Sequence, residues 1–167
     1  MKNFEFTIRP AAIENAEKIH TLLDEVGSEN IYIMAEPGER AVTQIKELIR
    51  QQGNNRNLIL VADSYGEVIG VLGFIGGPFN KTSHVIEVGM AIRKNFRGSG
   101  LGSTLLREAI SWARKKGFYR LELGVLATND QAIALYKKFG FQEEGVRKKR
   151  YRVEGKYVDE VLMSKML

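Results

Sequence analysis

Phe4, Phe6 and Ile8 alternate with polar neighbours, the pattern of a half-buried strand that Pro10 stops. The period then changes, and Ala12, Ala16, Ile19, Leu23 and Val26 recur at helical spacing up to Gly27, placed as a C-terminal cap. After the Pro37-Gly38 turn, Val42, Ile45 and Ile49 predict a second helix, ending near Gln52 before Gly53. Residues 58–62 and 68–75 are apolar on both faces with a turn between them, which reads as a central hairpin. Gly76, Gly77 and Pro78 break that pattern before another strand over 83–92. Leu101, Leu105, Leu106, Ala109, Ile110, Trp112 and Ala113 form a broad apolar helix face over 100–116, closed by Gly117. A short strand over 121–126 completes a strand-helix-strand unit with a right-handed crossover and parallel strands. A helix over 130–139 capped by Gly140, then strands over 141–150 and 157–167 about a Glu154-Gly155 turn, end the chain. This order predicts an α/β fold: a mixed, mostly antiparallel sheet of about seven strands flanked by about four helices, in one domain over residues 1–167.

At 167 residues the chain has the size of one domain. It contains no cysteine, which excludes disulfide frameworks, thiolate metal sites and cysteine nucleophiles. His20 and His84 are its two histidines, too few for a persuasive triad or metal cluster, and no metal is expected. With no apolar run of membrane-spanning length and no apolar leader, the chain is expected to be complete, cytoplasmic and without a membrane partner. The net charge of +5 suits an anionic ligand such as a nucleotide cofactor. The densest basic run, Arg147 to Arg152, reads as a solvated hairpin face.

Chemistry concentrates in Arg97-Gly98-Ser99-Gly100-Leu101-Gly102-Ser103, between a strand and the long helix. Three glycines in five residues serve backbone shape or close approach, and free amides at a helix N-terminus attract phosphate, with Arg97 adding charge. A dinucleotide fingerprint would need a third glycine at Ser103, although Glu122 lies at the distance of its acid. A Walker loop also fails, because no Lys-Ser or Lys-Thr follows the glycines.

Arg97-x-x-Gly100-x-Gly102 at a strand-to-helix junction, then Asn129 and Ala134-Leu135-Tyr136-x-x-Phe139-Gly140-Phe141, resembles the GNAT superfamily of acetyl-CoA-dependent N-acetyltransferases. The element order is similar from end to end. The resemblance implies that strands four and five splay into a V-shaped slot for the pantetheine arm of acetyl-CoA. It implies cofactor contacts from Gly98, Ser99, Gly100, Leu101, Gly102 and Ser103, main-chain contacts from Met90, Ala91 and Ile92, and a hydrogen bond from Asn129. Tyr136 would lie near the thioester sulfur and protonate the leaving thiolate, and Glu87 would take the amine's proton. Glu87 stands about one residue from the usual base, a shift that changes face unless a bulge at Gly89 absorbs it. His84 and Asp159 are lesser candidates for the base.

The expected activity is direct acetyl transfer to a primary amine in a ternary complex. The acceptor is left open between a small molecule and a protein N-terminal or lysine amine, as is a homodimer. Glu25, Glu29, Glu36, Asp159 and Glu160 are acids that can receive a cationic acceptor. The rival reading is a nucleotide- or RNA-binding module that uses the glycine loop and the 147–152 run without catalysis. Nucleic acid is not the expected partner.

Overall fold

A computed structural model describes residues 5–167. Seven strands form one sheet in the order β1-β2-β3-β4-β5-β7-β6. In chain order these are β1 (Thr7–Pro10), β2 (Asn57–Ser64), β3 (Glu67–Gly76), β4 (Val85–Ile92), β5 (Arg120–Leu126), β6 (Gln142–Val153) and β7 (Lys156–Met166). Four α-helices join them: α1 (Ala16–Gly27), α2 (Val42–Arg50), α3 (Leu101–Lys115) and α4 (Asp130–Lys138). The sheet is mixed, with β4 and β5 its parallel pair and the other neighbours antiparallel. Phe4, expected to open the first strand, lies outside the described residues.

Both sheet faces are covered, which explains why β2 and β3 are apolar on alternate and intervening positions alike. Ile59, Val61, Val71 and Ala91 pack against Ile19, Leu22 and Val26 of α1 and Ile45 and Ile49 of α2. Leu58, Leu60, Leu72, Phe74, Ile86, Val88, Leu121 and Leu123 pack on the other face against Leu101, Leu105, Leu106 and Ala109 of α3 and Tyr136 of α4. The final hairpin is inserted so that β7, not β6, lies beside β5. That placement brings Val161 and Met163 into the α3 core and turns Glu160 to the α1/α2 face.

Two glycine expectations change. Gly117 and Gly140 have the left-handed φ of helix caps, but Gly27 does not. Gly27 ends α1 in helical geometry, and a Cβ there would sit 2.6 Å from the Ala35 carbonyl oxygen, so the following loop requires the missing side chain. The anticipated bulge at Gly89 is also absent: β4 runs against β3 in continuous register, Gly73 opposite Gly89. Nothing lies within 4 Å of a Cβ built on either residue, so the pair leaves a trough on the α1/α2 face.

Between β4 and β5 the ladder holds for Val85↔Arg120, Ile86↔Leu121 and Glu87↔Glu122, then stops. Both strands continue, β4 paired with β3 to Ile92 and β5 with β7 to Leu126. The V-shaped gap follows directly. Its width rests on the α3 core, so Leu105→Ala should destabilise the protein by about 2–5 kcal/mol in denaturant titrations. Leu105 has no exposed surface. A loss under about 1 kcal/mol would mean that α3 does not anchor the sheet.

Candidate active site

The gap opens into a cleft of about 1090 Å³ that passes from one sheet face to the other. On the α3/α4 side it is lined by Met90, Ile92, Gly102, Leu135 and Tyr136; on the α1/α2 side by Gly73, Glu87, Gly89, Gly124 and Glu160. The loop after α1 reaches over it through Tyr32, Ile33 and Met34.

At the glycine loop, Gly98 and Gly100 take φ values of 71° and 90°, which a side chain would strain. A Cβ on either would meet nothing within 4 Å, so the backbone here is open to a ligand. Gly100 caps α3 without a side chain, leaving the first amides of the helix to point outward. Gly102 is tight: a Cβ would sit 3.2 Å from side-chain atoms of Ile92 and Leu135. Gly98, Gly100, Gly102 and Ser103 line the cleft with Met90, Ala91 and Ile92. The Ser99 hydroxyl instead donates to the Phe96 carbonyl at 2.7 Å, and Leu101 is buried in the core, so both side chains face the protein itself.

Arg97 has partners that the sequence did not suggest. Its guanidinium makes two hydrogen bonds to the Glu29 carboxylate at 2.9 and 2.6 Å, and Nε donates to the Ile92 carbonyl at 2.8 Å. It also stacks on the Tyr32 ring, 3.9 Å from its centroid. The Arg97 guanidinium holds the Glu29 carboxyl below the usual carboxylate range. Arg97 therefore joins the α1 loop to the glycine loop, and its charge is already matched. Asn129 is buried as well: its oxygen accepts from the Ala132 amide at 3.1 Å, capping α4, while its amide faces the Tyr32 carbonyl at 3.5 Å.

Tyr136 packs against Phe141, ring centroids 5.4 Å apart, and its hydroxyl has no hydrogen-bond partner among the described residues. Burial pushes the phenol up to about 12. Glu87 is exposed on the α1/α2 face with no ion pair among the described residues, and the continuous register settles that orientation. Beside it, Glu122 and Glu144 share Arg120, at 3.1 Å and through a two-point contact; the Glu144 carboxyl is pushed down to about 2 by Arg120, with Ser164 adding. His84 and His20 do not line the cleft, and neither does Asp159, which is held by Lys148 and the Lys149 amide.

Of the acids expected to receive a cation, Glu25 is paired with Arg93, Glu29 with Arg97, Asp159 with Lys148 and Glu160 with Arg147. The basic 147–152 run is accordingly no free stripe: Arg147 and Arg150 turn to Glu160, Lys148 pairs with Asp159, and Lys149 donates its main-chain amide to Asp159. Sequence reasoning missed Arg120, Glu144, Gly124 and Tyr151, which adjoin Glu87 or Glu160 through strand pairing distant in sequence.

A model of the acetyltransferase (GNAT) family matches residues 26–141. The chain belongs to that family. The GNAT chain is 36% identical over 111 residues to the L-amino acid N-acetyltransferase AaaT of Escherichia coli K12. It is 37% identical over 110 residues to the N-alpha-acetyltransferase RimI of Mycobacterium tuberculosis. Each alignment covers 64% of this chain, and 67% and 65% of those relatives respectively. The crystal structure of a GNAT acetyltransferase from Streptococcus pneumoniae matches 98% of this chain and 100% of its own, at a TM-score of 0.91 and 28% identity. Among the described residues of the GNAT fold, no cluster of three His, Cys, Asp or Glu side chains suits a metal, and no helix is long and apolar enough to cross a membrane.

Removing the Glu29 charge tests the link between the two loops. Glu29→Gln should cost about 1–2 kcal/mol at pH 7, discounted for partial exposure. Because the folded carboxyl titrates below its unfolded value, this stability is present above about pH 4.3 and is lost as pH falls through the folded value. Denaturant titrations should therefore show wild type and variant converging in acid; a gap independent of pH would contradict the ion pair.

Proposed function

We propose that residues 1–167 form one N-acetyltransferase unit that moves an acetyl group from acetyl-CoA to a primary amine by direct attack in a ternary complex. A cytoplasmic location is part of this proposal. The observation that carries it is the gap between β4 and β5, with the unpartnered Tyr136 hydroxyl on one side and the unpaired Glu87 carboxylate on the other. The named relatives act on amines, one as an L-amino acid N-acetyltransferase and the other as an N-alpha-acetyltransferase.

The residues present fit the donor. An open, left-handed glycine loop and the outward amides of α3 suit its phosphates. An apolar wall of Met90, Ile92 and Leu135, beside a β4 edge without a ladder partner past Glu87, suits an extended arm. Gly98 to Ser103 and the main chain of Met90, Ala91 and Ile92 would hold it. Asn129 would contribute a remaining amide hydrogen. Arg97 supports this loop by bracing it against Glu29. When bound, acetyl-CoA supplies a thioester carbon open to a nucleophile and a sulfur that leaves as a thiolate.

Glu87 accepts the proton that the attacking amine loses, directly or through one water. A main-chain amide of the 90–92 segment donates to the carbonyl oxygen as negative charge gathers there. Tyr136, at about 12, keeps its proton throughout the working pH range, so its hydroxyl remains a donor for the departing sulfur. Its own proton is restored from solvent through the open cleft. The nucleotide- or RNA-module reading has less support, because three cations of the basic run, Arg147, Lys148 and Arg150, are drawn to Asp159 and Glu160 within the hairpin.

Tyr136→Phe keeps the ring on Phe141 and removes the hydroxyl. Acetyl-CoA binding by calorimetry and the melting temperature should hold, while turnover falls by about ten- to a thousandfold. Full turnover with chemistry rate-limiting would reduce Tyr136 to packing. For Glu87→Gln, the rate should fall most at neutral pH and recover partly at high pH, where the amine needs less help losing its proton. A uniform loss with raised acceptor KM would assign Glu87 to substrate binding instead.

A further inference from the structure

The acceptor side of the cleft carries its charge in two groups of opposite sign. At the closed end of the V, Glu87 lies in register with Glu122 on the same face, and Glu122 and Glu144 share the single guanidinium of Arg120. Three carboxylates face one cation, and Glu87 has no ion pair among the described residues. Beside β6 and β7 the balance reverses. Arg147 and Arg150 both turn to the carboxylate of Glu160, at 2.9 and 3.9 Å, and Arg40 lines the same cleft with no ion-pair or hydrogen-bond partner among the described residues. Two guanidiniums share one carboxylate here, and the cleft lining adds a third guanidinium in Arg40.

Glu160 is not available to an incoming amine. Its side chain is 4% exposed, one oxygen accepts from the Tyr151 hydroxyl at 2.7 Å and the other from Arg147. It lies over Gly124, where any Cβ would overlap the carboxylate. Each arginine has five N–H donors, and Arg147 and Arg150, both 56% exposed, use few of them. Next to Glu87, on its β3 side, the Gly73/Gly89 trough leaves room for a ligand in the same cleft.

Resting on the acetyltransferase reading above, we propose that the acceptor is a small amine with an anionic group on the same molecule. Its amine lies at the Glu87 end and its anion meets Arg150 and Arg40. Glu160 is the positioning residue that, with Tyr151, holds the arginine pair in place. A carboxylate and a phosphonate offer the same chemistry to these guanidiniums. A polyamine would bring a second cation to the basic end, and a peptide N-terminus has an amide where the anion belongs.

The test is steady-state acetylation, read as CoA release, with matched acceptors: α- and ω-amino acids, their amides, the decarboxylated amines, aminophosphonates, a short peptide and spermidine. The anionic acceptors should exceed their neutral partners by at least about tenfold in kcat/KM. Preference within the anionic set identifies carboxylate or phosphonate as the source. Arg40→Ala and Arg150→Ala should raise KM about tenfold for those acceptors alone, with kcat within about twofold, and Arg150→Lys should restore part of the loss. Glu160→Gln should raise the same KM, and Glu160→Asp should recover some of it.

Equal or better turnover of the amides, peptide or spermidine overturns the proposal, as does an unchanged KM in the Arg40/Arg150 double variant. Turnover of no anionic amine while calorimetry shows acetyl-CoA bound overturns it and leaves the donor reading standing. Failure of acetyl-CoA to bind removes both.

Discussion

The ladder between β4 and β5 ends after Glu87↔Glu122, although both strands continue, and the cleft exists because of that ending. Each strand is held along its outer edge, β4 by β3 and β5 by β7, so the inner edges can separate without either strand unfolding. Peptide groups left without ladder partners in a folded sheet are costly unless water or a ligand meets them. The same feature that weakens the sheet thus gives an extended ligand a strand edge to pair with. α3 crosses from one strand to the other and packs its apolar face on the sheet, which keeps the gap from closing.

Charge pairs around this gap act mainly as joints between segments. Arg97 and Glu29 connect the loop after α1 to the entrance of α3; Arg120 and Glu144 connect β5 to β6; Glu160 gathers Arg147, Arg150 and Tyr151 across β6 and β7. Such pairs lose hydration as they gain attraction, so their net contribution to stability is modest. Their geometric effect is larger, because a two-point arginine contact restrains both partners. The walls of the cleft are consequently fixed before any ligand arrives, which lowers the ordering cost of binding.

Much of this molecule is written in short stretches of the chain. The 3.6 period of Leu101 to Ala113, the two-sided apolar runs that became β2 and β3, and the turn before Gly66 each depend on neighbours a few residues away. So does the glycine loop: Gly98 and Gly100 stand where left-handed backbone is needed, and the sequence marks both. Tyr136 and Asn129 could likewise be placed at α4 from their spacing, since a helix fixes which positions share a face.

Relations between distant segments were decided only by tertiary structure. Nothing local to the 141–167 hairpin indicates that β7 will enter the sheet beside β5, yet that choice puts Glu160 over Gly124 and Arg120 beside Glu144. Arg97 reads as a free cation beside a phosphate site until α1 is packed and Glu29, 68 residues away, takes both of its terminal nitrogens. Which sheet face Glu87 takes was decided by the unbroken register of β4 against β3, and strand register is a property of two strands together. Sequence alone determined the elements, their order and the glycine loop, because those follow from local periodicity and backbone preference. Which charges remain unpaired at the cleft was set by packing, because an ion pair depends on distances through space that the spacing along a chain does not fix.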